Sequence, residues 1–315
     1  MTNAVVSIAK SGTRFQTVRE ALDRIRDAAG PGLRQNKRIL IKPNFVSTST
    51  PLAATHVDAV RAILEFVQEF GPKEVIIGEG PAGGDAAAGF KNYGYQPLAK
   101  EYGVQLVDLN QDDYVEVPIF DDKLHDTYVR LSRTVYEADY RVSAAVMKTH
   151  DTVIVTLSLK NMVVGSLVGG QKRRIHQGYA ATNLDLYRVA ARIPVHLAVL
   201  DGFKAMEGNG PVHGNEVDLG VALAGTDFIA VDSVGGYVMG FNPDEIGYLY
   251  YANRYGLGVS DLSRIVTVGV DPSKVRRRFQ PHYGYERQRR WALPEDVLSP
   301  IDARIRQEKA RLTVS

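Results

Sequence analysis

The sequence predicts an α/β fold, with a largely parallel or mixed sheet flanked by helices. Short apolar runs of strand length alternate along the chain with longer segments whose apolar residues recur at helical spacing. Hydrophobic residues make up 44% of the 315 residues, which is enough for a large buried core. Charged residues make up 23%, an ordinary share for a folded domain.

The first half of the chain contains four predicted strands, AVVSIA, RILIKPNF, EVIIGEG and GVQLVDL. The second of them stops at Pro43, because proline cannot donate a hydrogen bond to a sheet. Two helices are predicted between these strands. RFQTVREALDRIRDA follows Thr13 as N-cap, and THVDAVRAILEFVQEFG ends at Gly71.

The second half adds a predicted antiparallel pair, VEVPIF with TYVRLS, and then the strands YRVSAAVMKTH, HLAVLDGF, DLGVALAG and RIVTVG. The segment TLSLKNMVVGSLVG is a predicted helix with Lys160 and Asn161 in its first turns. A further helix is predicted at TDFIAVDSVGGYVMGF, although Gly235 and Gly236 weaken it.

We divide the chain into an α/β domain, residues 1–270, and a basic C-terminal extension, residues 271–315. The extension contains eleven Lys/Arg and six Asp/Glu, a net charge of +5 in a chain whose formal net charge is +2. We expect it to pack on the body or on a second subunit, with docking to an anionic partner as the alternative. A homo-oligomer therefore stays open, and the charge requires neither nucleic acid nor a membrane.

Cysteine is absent from the chain. This excludes disulfides, cysteine-ligated iron–sulfur clusters and cysteine nucleophiles. The N-terminal stretch lacks a signal-peptide pattern, and Lys160 and Asn161 interrupt the longest apolar stretch, so no membrane helix is expected. We expect a cytoplasmic protein.

A glycine-rich turn follows the third predicted strand, with Gly78, Gly80 and Gly83 in the spacing G-x-G-x-x-G. This spacing is typical of dinucleotide sites. Pro81 removes a donor from the loop, and Glu79 would oppose a pyrophosphate. We therefore assign no cofactor-binding residue here and keep a dinucleotide enzyme as the weaker alternative.

Polar side chains occur where several predicted strands end. Lys42 and Asn44 follow one strand, Lys148 and His150 end another, and Asp201 ends a third. Because the carboxyl ends of parallel strands share one edge of a sheet, we expect these groups to surround a cleft. Lysines suit a carboxylate or phosphate, and histidine suits acid/base chemistry or a metal.

Three nearby segments add candidates to this cleft. Glu207 lies in a predicted glycine-rich loop after Asp201, and His56 begins a helix. The loop GGQKRRIHQGY contributes Lys172, Arg173, Arg174 and His176, which together suit an anion. A divalent metal is left open, since no motif has tight ligand spacing. Its candidate ligands are His56, His150, His176, Asp201 and Glu207.

Several motifs together resemble the family called domain of unknown function 362. They are IKPNFV, ATHVDAVRAILEF, VIIGEGPAG, VMKTHDTVIVTLSLKNMVVG, KRRIHQG, LDGFKAMEGNGPVHG and VALAGTDFIAVDSVGGYVMGF, spread over about residues 38–241. Many relatives carry a cysteine-rich ferredoxin-like module, which this chain lacks. The resemblance implies that the family pattern includes Lys42, Pro43, Asn44, His56, Lys148, His150, Lys160, Asn161, His176, Asp201, Glu207, Gly208, Gly210 and Asp232.

We hypothesise an enzyme of the isomerase, lyase or hydrolase type that acts on a small anionic substrate by acid/base chemistry. The alternative is an accessory protein that holds a metabolite or metal without catalysis. Because a buried lysine needs a partner, Lys160 should meet a ligand or one of Asp201, Glu207 and Asp232. The predicted catalytic residues are His150, His176, Lys148, Lys160 and Glu207. The predicted substrate-binding residues are Lys42, Asn44, Asn161, Arg174 and Asp201.

Overall fold

The computed structural model describes residues 3–312, so the last three residues of the predicted extension lie outside it. Its strands are Ala4–Ala9 (β1), Arg38–Lys42 (β2), Glu74–Glu79 (β3), Gln105–Asp108 (β4), Tyr114–Phe120 (β5), Asp126–Ser132 (β6), Tyr140–Thr149 (β7), Val155–Thr156 (β8), Leu197–Asn209 (β9), His213–Gly225 (β10) and Ile265–Gly269 (β11).

The helices include several short ones, and 3-10 turns occur between them. The helices are Arg14–Asp23 (α1), Arg26–Gln35 (α2), Val57–Gln68 (α3), Ala86–Asn92 (α4), Gln96–Tyr102 (α5), Arg133–Glu137 (α6), Ser158–Gly165 (α7), Gly178–Ala190 (α8), Phe228–Val238 (α9), Gly247–Arg254 (α10), Pro272–Val275 (α11), Tyr285–Gln288 (α12) and Glu295–Leu312 (α13).

The main sheet has the strand order β11-β1-β10-β9-β7-β2-β3-β4, and β8 pairs with the end of β7. Neighbouring strands from β9 to β4 run parallel, as do β1 and β11. Only β10 opposes its two neighbours, and short β8 opposes β7. The predicted α/β fold with a largely parallel sheet is confirmed, and so is the antiparallel pair of β5 and β6.

Helices cover both faces of this sheet, because its central strands are apolar on both sides. On one face, α1 to α5 bury side chains such as Leu22, Ile63 and Phe66. On the other face, α7 to α10 bury side chains such as Leu159 and Val234. No helix within residues 3–312 is long and apolar enough to cross a membrane.

The segment 271–312 packs against this second layer. Val275, Phe279 and Trp291 join the same apolar cluster as α8 and α9, and so do Leu298 and Ile301 of α13. The buried guanidinium of Arg188 pairs with Glu308, which ties α13 to α8. The described part of the basic extension therefore packs on the α/β domain along one of its sides.

The sequence-based boundary of β9 is wrong. We expected this strand to end near Asp201, with Glu207 in a loop. Instead β9 continues to Asn209 and forms a long antiparallel hairpin with β10, with an irregularity between Asp218 and Val221. Glu207 is therefore a strand residue that pairs with Asn215.

Candidate functional site

Two neighbouring parallel strands bring Lys42 and Glu79 together at the carboxyl edge of the sheet. Lys42 ends β2 and Glu79 ends β3, and both side chains are buried. Lys42 Nζ lies 2.6 Å from Glu79 Oε2 and also donates to Pro43 O. Burial lowers the pKa of Lys42 and raises the pKa of Glu79, while their mutual attraction opposes both shifts.

Two asparagines connect this ion pair to a second buried lysine. Asn161 Oδ1 accepts from Lys42 Nζ and from Asn44 Nδ2, each at 3.1 Å. Lys148 Nζ donates to Asn44 Oδ1 at 2.5 Å and to Ala53 O at 2.7 Å. Burial, followed by the charge of Lys160, holds the pKa of Lys148 well below its usual range.

Helix α7 positions Asn161 and Lys160 over the edge of the sheet. Its first backbone amides, those of Ser158 and Leu159, donate to the buried carboxyl group of Asp232 at 2.7 and 2.9 Å. At its other end, a side chain on Gly165 would lie 2.2 Å from Lys42 Nζ. A side chain at residue 165 would therefore displace the end of Lys42 from its place beside Glu79.

A cavity of about 450 Å³ opens above this network. Its size suits a small metabolite. Lys42 and Lys148 lie behind its wall and do not line it. The polar side chains that do line it are Asn44, Glu79, His150, Asp151, Thr152, Lys160, Asn161, Lys172, Arg173 and His176.

Lys160 differs from the other buried lysines of the site. Its side chain is 7% exposed, and no hydrogen-bond or ion-pair partner for Nζ occurs within residues 3–312. Burial lowers the pKa of Lys160 to about 8, and Lys42 contributes, while the half-exposed Asp151 opposes the shift. Burial also lowers the pKa of Lys172 to about 8, but Lys172 Nζ donates to Asn110 Oδ1 and Leu167 O.

The rings of His150 and His176 are nearly parallel, with centroids 6.1 Å apart. The amides of Thr152 and Val153 direct their hydrogens at His150 Nδ1, from 3.0 and 3.4 Å. Neutral His150 therefore carries its proton on Nε2, even though Asp151 lies 3.1 Å from Nδ1. Burial holds the pKa of His150 well below its usual range, so the neutral form prevails at pH 7.

His176 has the opposite tautomer. Its Nδ1 lies 2.7 Å from Lys172 O, and a carbonyl oxygen only accepts, so Nδ1 carries the proton. Burial, together with the charge of Lys160, lowers the pKa of His176. Neutral His176 therefore presents an unprotonated Nε2 and His150 an Nε2–H, and no described residue binds either Nε2 atom.

The β9–β10 hairpin and the extension complete the wall of the cavity. A side chain on Gly210 would lie 2.2 Å from Thr149 O, so glycine lets the hairpin tip close over the end of β7. Pro211 then lines the cavity. From the extension, Gln288 Nε2 donates to His150 O at 2.8 Å, which fixes the backbone of that histidine.

Several predicted site residues lie away from the cavity. Asp201 projects from the opposite face of the sheet, where it pairs with Arg14 at 3.1 Å, and His56 caps α3 there. Glu207 accepts from the amide of Gln280. Arg174 donates to Thr127 Oγ1, and its neighbour Arg173 lines the cavity instead.

The predicted carboxylate partner of Lys160 is not present. Asp201 pairs with Arg14, Glu207 accepts from a backbone amide, and Asp232 caps α7. Each of the three carboxylates is thus engaged elsewhere. For Asp201 and Glu207 the reason is that β9, which carries both, continues past the point where we expected it to end. A ligand is the remaining predicted partner of Lys160.

The five predicted metal candidates are separated in the structure. His150 and His176 lie together, whereas His56 and Asp201 lie on the other face of the sheet and Glu207 lies on the hairpin. Residues 3–312 contain no group of three His, Asp or Glu side chains arranged to hold a metal ion.

The glycines of the G-x-G-x-x-G spacing have packing roles. A side chain on Gly78 would lie 3.0 Å from Leu40 and Leu109, and one on Gly80 would lie 2.9 Å from Gly165 O. The next helix, α4, has its first amides capped by Asp85 rather than left open for a phosphate. These contacts account for Gly78 and Gly80 without a dinucleotide.

Glu79, Asp151 and Thr152 line the cavity and Asn110 holds Lys172, yet none of them was among the predicted site residues. Glu79 was considered only as an obstacle to pyrophosphate, although a charged residue that ends a buried strand signals a buried partner. Asn110, which accepts from Lys172, follows β4 at the same edge of the sheet. The sequence did not show that β3 pairs with β2 and β4 with β3, and this strand order is what brings these residues to the site.

The fold and the site together define an α/β protein with a cationic cavity at the carboxyl edge of its parallel strands. The chain belongs to the family described as domain of unknown function (DUF362), whose model matches residues 39–236. The resemblance inferred from the motifs is thereby confirmed.

The chain is similar to a curated protein in sequence and to a solved structure in fold. A thylakoid-associated protein of Synechocystis sp. is 28% identical over 300 residues, which cover 93% of this chain and 87% of that protein. The lactate racemase apoprotein of Thermoanaerobacterium thermosaccharolyticum aligns with a TM-score of 0.48 and 14% identity. That alignment covers 81% of this chain and 57% of the racemase chain.

Proposed function

We propose that the cavity binds a small carboxylate or phosphate, and that His176 and His150 catalyse proton transfer on the bound molecule. Isomerisation, elimination and hydrolysis are the reaction types that such groups serve. Lys160, Lys172 and Arg173 line the cavity, where Glu79 and Asp151 are the facing carboxylates. Glu79 is already paired with Lys42, so the cationic side has charge left for an anion.

The opposite tautomers of the two histidines carry the catalytic part of this proposal. Neutral His176 has an unprotonated Nε2 and can take a proton, whereas neutral His150 has an Nε2–H that can bond to a substrate oxygen. Their lowered pKa values keep both in these forms at pH 7. His176 would therefore act as the base, with His150 stabilising negative charge that develops on oxygen.

Anion binding is tested by isothermal titration calorimetry with inorganic phosphate and with lactate. We expect Lys160→Met to weaken binding at least about tenfold, since a charge-assisted hydrogen bond contributes about 1.5–3 kcal/mol. Lys91→Met removes the same charge from an exposed position on α4 and should leave the affinity unchanged. Equal affinities for both variants would place the anion elsewhere.

Catalysis is tested by proton NMR in D₂O with a panel of 2-hydroxy and 2-oxo acids. Loss of the signal from a carbon-bound hydrogen next to the carboxylate reports proton abstraction. We expect exchange with the natural chain and none with His176→Gln, whereas His125→Gln changes a histidine whose side chain is 73% exposed and should be silent. Tight binding without exchange would contradict the catalytic part and favour the accessory binding protein.

A further inference from the structure

We propose that Lys160 is a covalent nucleophile, whose amine condenses with the carbonyl carbon of a 2-oxo acid in the cavity to form an imine. This inference rests on the anion binding proposed above and names a substrate class for it. The observations that carry it are the missing partner of Lys160 Nζ, its place beside two neutral histidines, and the cations on the same wall.

Residues 3–312 contain four buried lysines, and Lys160 is the one whose amine has no hydrogen-bond partner there. Three of them donate to oxygen atoms of the protein, and these hydrogen bonds hold their amines in place. These are Lys42 with Glu79, Pro43 O and Asn161, Lys148 with Asn44 and Ala53 O, and Lys172 with Asn110 and Leu167 O. The amine of Lys160 meets no such oxygen within residues 3–312, although an unpaired buried ammonium is costly.

The surroundings of Lys160 enlarge the unprotonated, nucleophilic fraction of its amine at pH 7. It is the third residue of α7, where the helix dipole is positive, and the charge of Lys42 is nearby. The pKa of Lys160 falls from 10.5 to about 8. At pH 7 this raises the fraction of free amine about 300-fold over that of an ordinary lysine.

The condensation balances with groups that are present in the cavity. Lys160 Nζ forms a bond to the carbonyl carbon, the C=O π bond opens, and the oxygen is stabilised by the Nε2–H of His150. Nε2 of His176 carries the two amine protons to that oxygen in succession. The oxygen then leaves as water and the C=N bond forms, with no oxidant, reductant or further reactant.

Two neighbouring cations suit the carboxylate of such a substrate. Lys172 and Arg173 line the cavity together with Lys160 and His176. A 2-oxo acid places its carboxylate one bond from its carbonyl, so one small molecule can reach the cations and the free amine. An anion without a carbonyl would bind to the same cations but could not be trapped.

The test uses the full chain incubated at neutral pH with pyruvate and sodium cyanoborohydride, followed by peptide mapping with mass spectrometry. We expect the reduced pyruvate adduct at Lys160 and none in Lys160→Arg, which keeps the charge but forms no imine. Lys172 is the internal control, since its pKa is also about 8 while its amine is held by hydrogen bonds. The proposal would be overturned if Lys160 carried no adduct, or if Lys172 and exposed Lys91 were labelled to the same extent as Lys160.

Lactate separates this inference from the function on which it rests, because it has the carboxylate but no carbonyl. If lactate binds and competes with pyruvate for labelling of Lys160, both proposals gain support. If lactate binds but pyruvate leaves no adduct, the imine is refuted and the anion site stands. If neither acid binds and no adduct forms, both proposals fail.

Discussion

Lys42 and Glu79 form a fully buried ion pair, with 2.6 Å between Nζ and Oε2, at the ends of two adjacent parallel strands. The side chain of Lys42 is 0% exposed and that of Glu79 is 1% exposed. Both side chains are withdrawn from bulk solvent, so each charge depends on the other, and Lys42 also donates to Asn161. The pair forms the base on which the cavity is built.

We expect Glu79→Gln to lower the free energy of unfolding by about 3–5 kcal/mol, because it leaves the buried ammonium of Lys42 without its counter-charge. Urea denaturation followed by circular dichroism measures the change. The double variant Lys42→Met/Glu79→Leu should recover most of the loss. Glu216→Gln breaks the exposed pair with Lys204 and should cost no more than about 1 kcal/mol.

Lys160 should lower stability in a manner that depends on pH. Its folded-state pKa of about 8 lies below the ordinary value of 10.5, so between these pH values the unfolded chain binds more protons and stability rises with pH. We expect Lys160→Met to be more stable than the natural chain below pH 8, by up to about 3 kcal/mol. This advantage should shrink steadily as the pH rises towards 10.5.

Urea unfolding at a series of pH values between 7 and 10 measures that difference. The matched control is Lys91→Met, which makes the same replacement at an exposed position on α4, outside the cavity. If the difference in unfolding free energy between Lys160→Met and the natural chain did not change with pH, the amine of Lys160 would be hydrated or paired in the folded protein.

His150 and His176 should show opposite tautomers by nitrogen NMR. Selective ¹⁵N labelling of histidine and long-range proton–nitrogen correlation at pH 7 should place the proton on Nε2 of His150 and on Nδ1 of His176. Because burial lowers both pKa values, neither ring should become cationic until the pH falls below the usual histidine range. If both rings had the same tautomer, His176 could not be assigned as the base and His150 as the hydrogen-bond donor.

The cap of α7 by Asp232 should affect both stability and ligand binding. Asp232→Ala leaves the amides of Ser158 and Leu159 unpaired and should cost about 1–2 kcal/mol. Asp227→Ala is a matched control, since Asp227 caps α9 through Ile229 and Ala230. Both variants should lose stability, but only Asp232→Ala should weaken phosphate binding measured by calorimetry, because α7 carries Lys160.

The sequence contained enough information for the layered fold and for the inner part of the site. Apolar runs identified the strands of the sheet, and Lys42 and Lys148 lie at strand ends as expected. Asn161 and Lys160 lie in the first turns of α7, because a helix after β7 must start at the same edge of the sheet. These inferences used only local periodicity and the geometry of parallel strands.

The outer part of the site depended on information that one sequence does not hold. DGFKAMEGNGP has the glycines of a loop, yet pairing with β10 keeps it extended as far as Asn209. Asp201 was expected in the cleft, but alternation along β9 directs it to the opposite face, towards Arg14. Local composition could not reveal a hairpin whose stability comes from its partner strand.

Strand β1 lies between β10 and β11, inside the sheet, although it precedes the family-matched residues 39–236. Gln280 and Gln288, which brace the hairpin and His150, come after those residues. A fragment cut to the matched segment would therefore bare the outer edge of β10 and lose a wall of the cavity. The stretch by which this family is recognised is shorter than the packed sheet and cavity, and a trimmed version for crystallisation or design must retain both flanks.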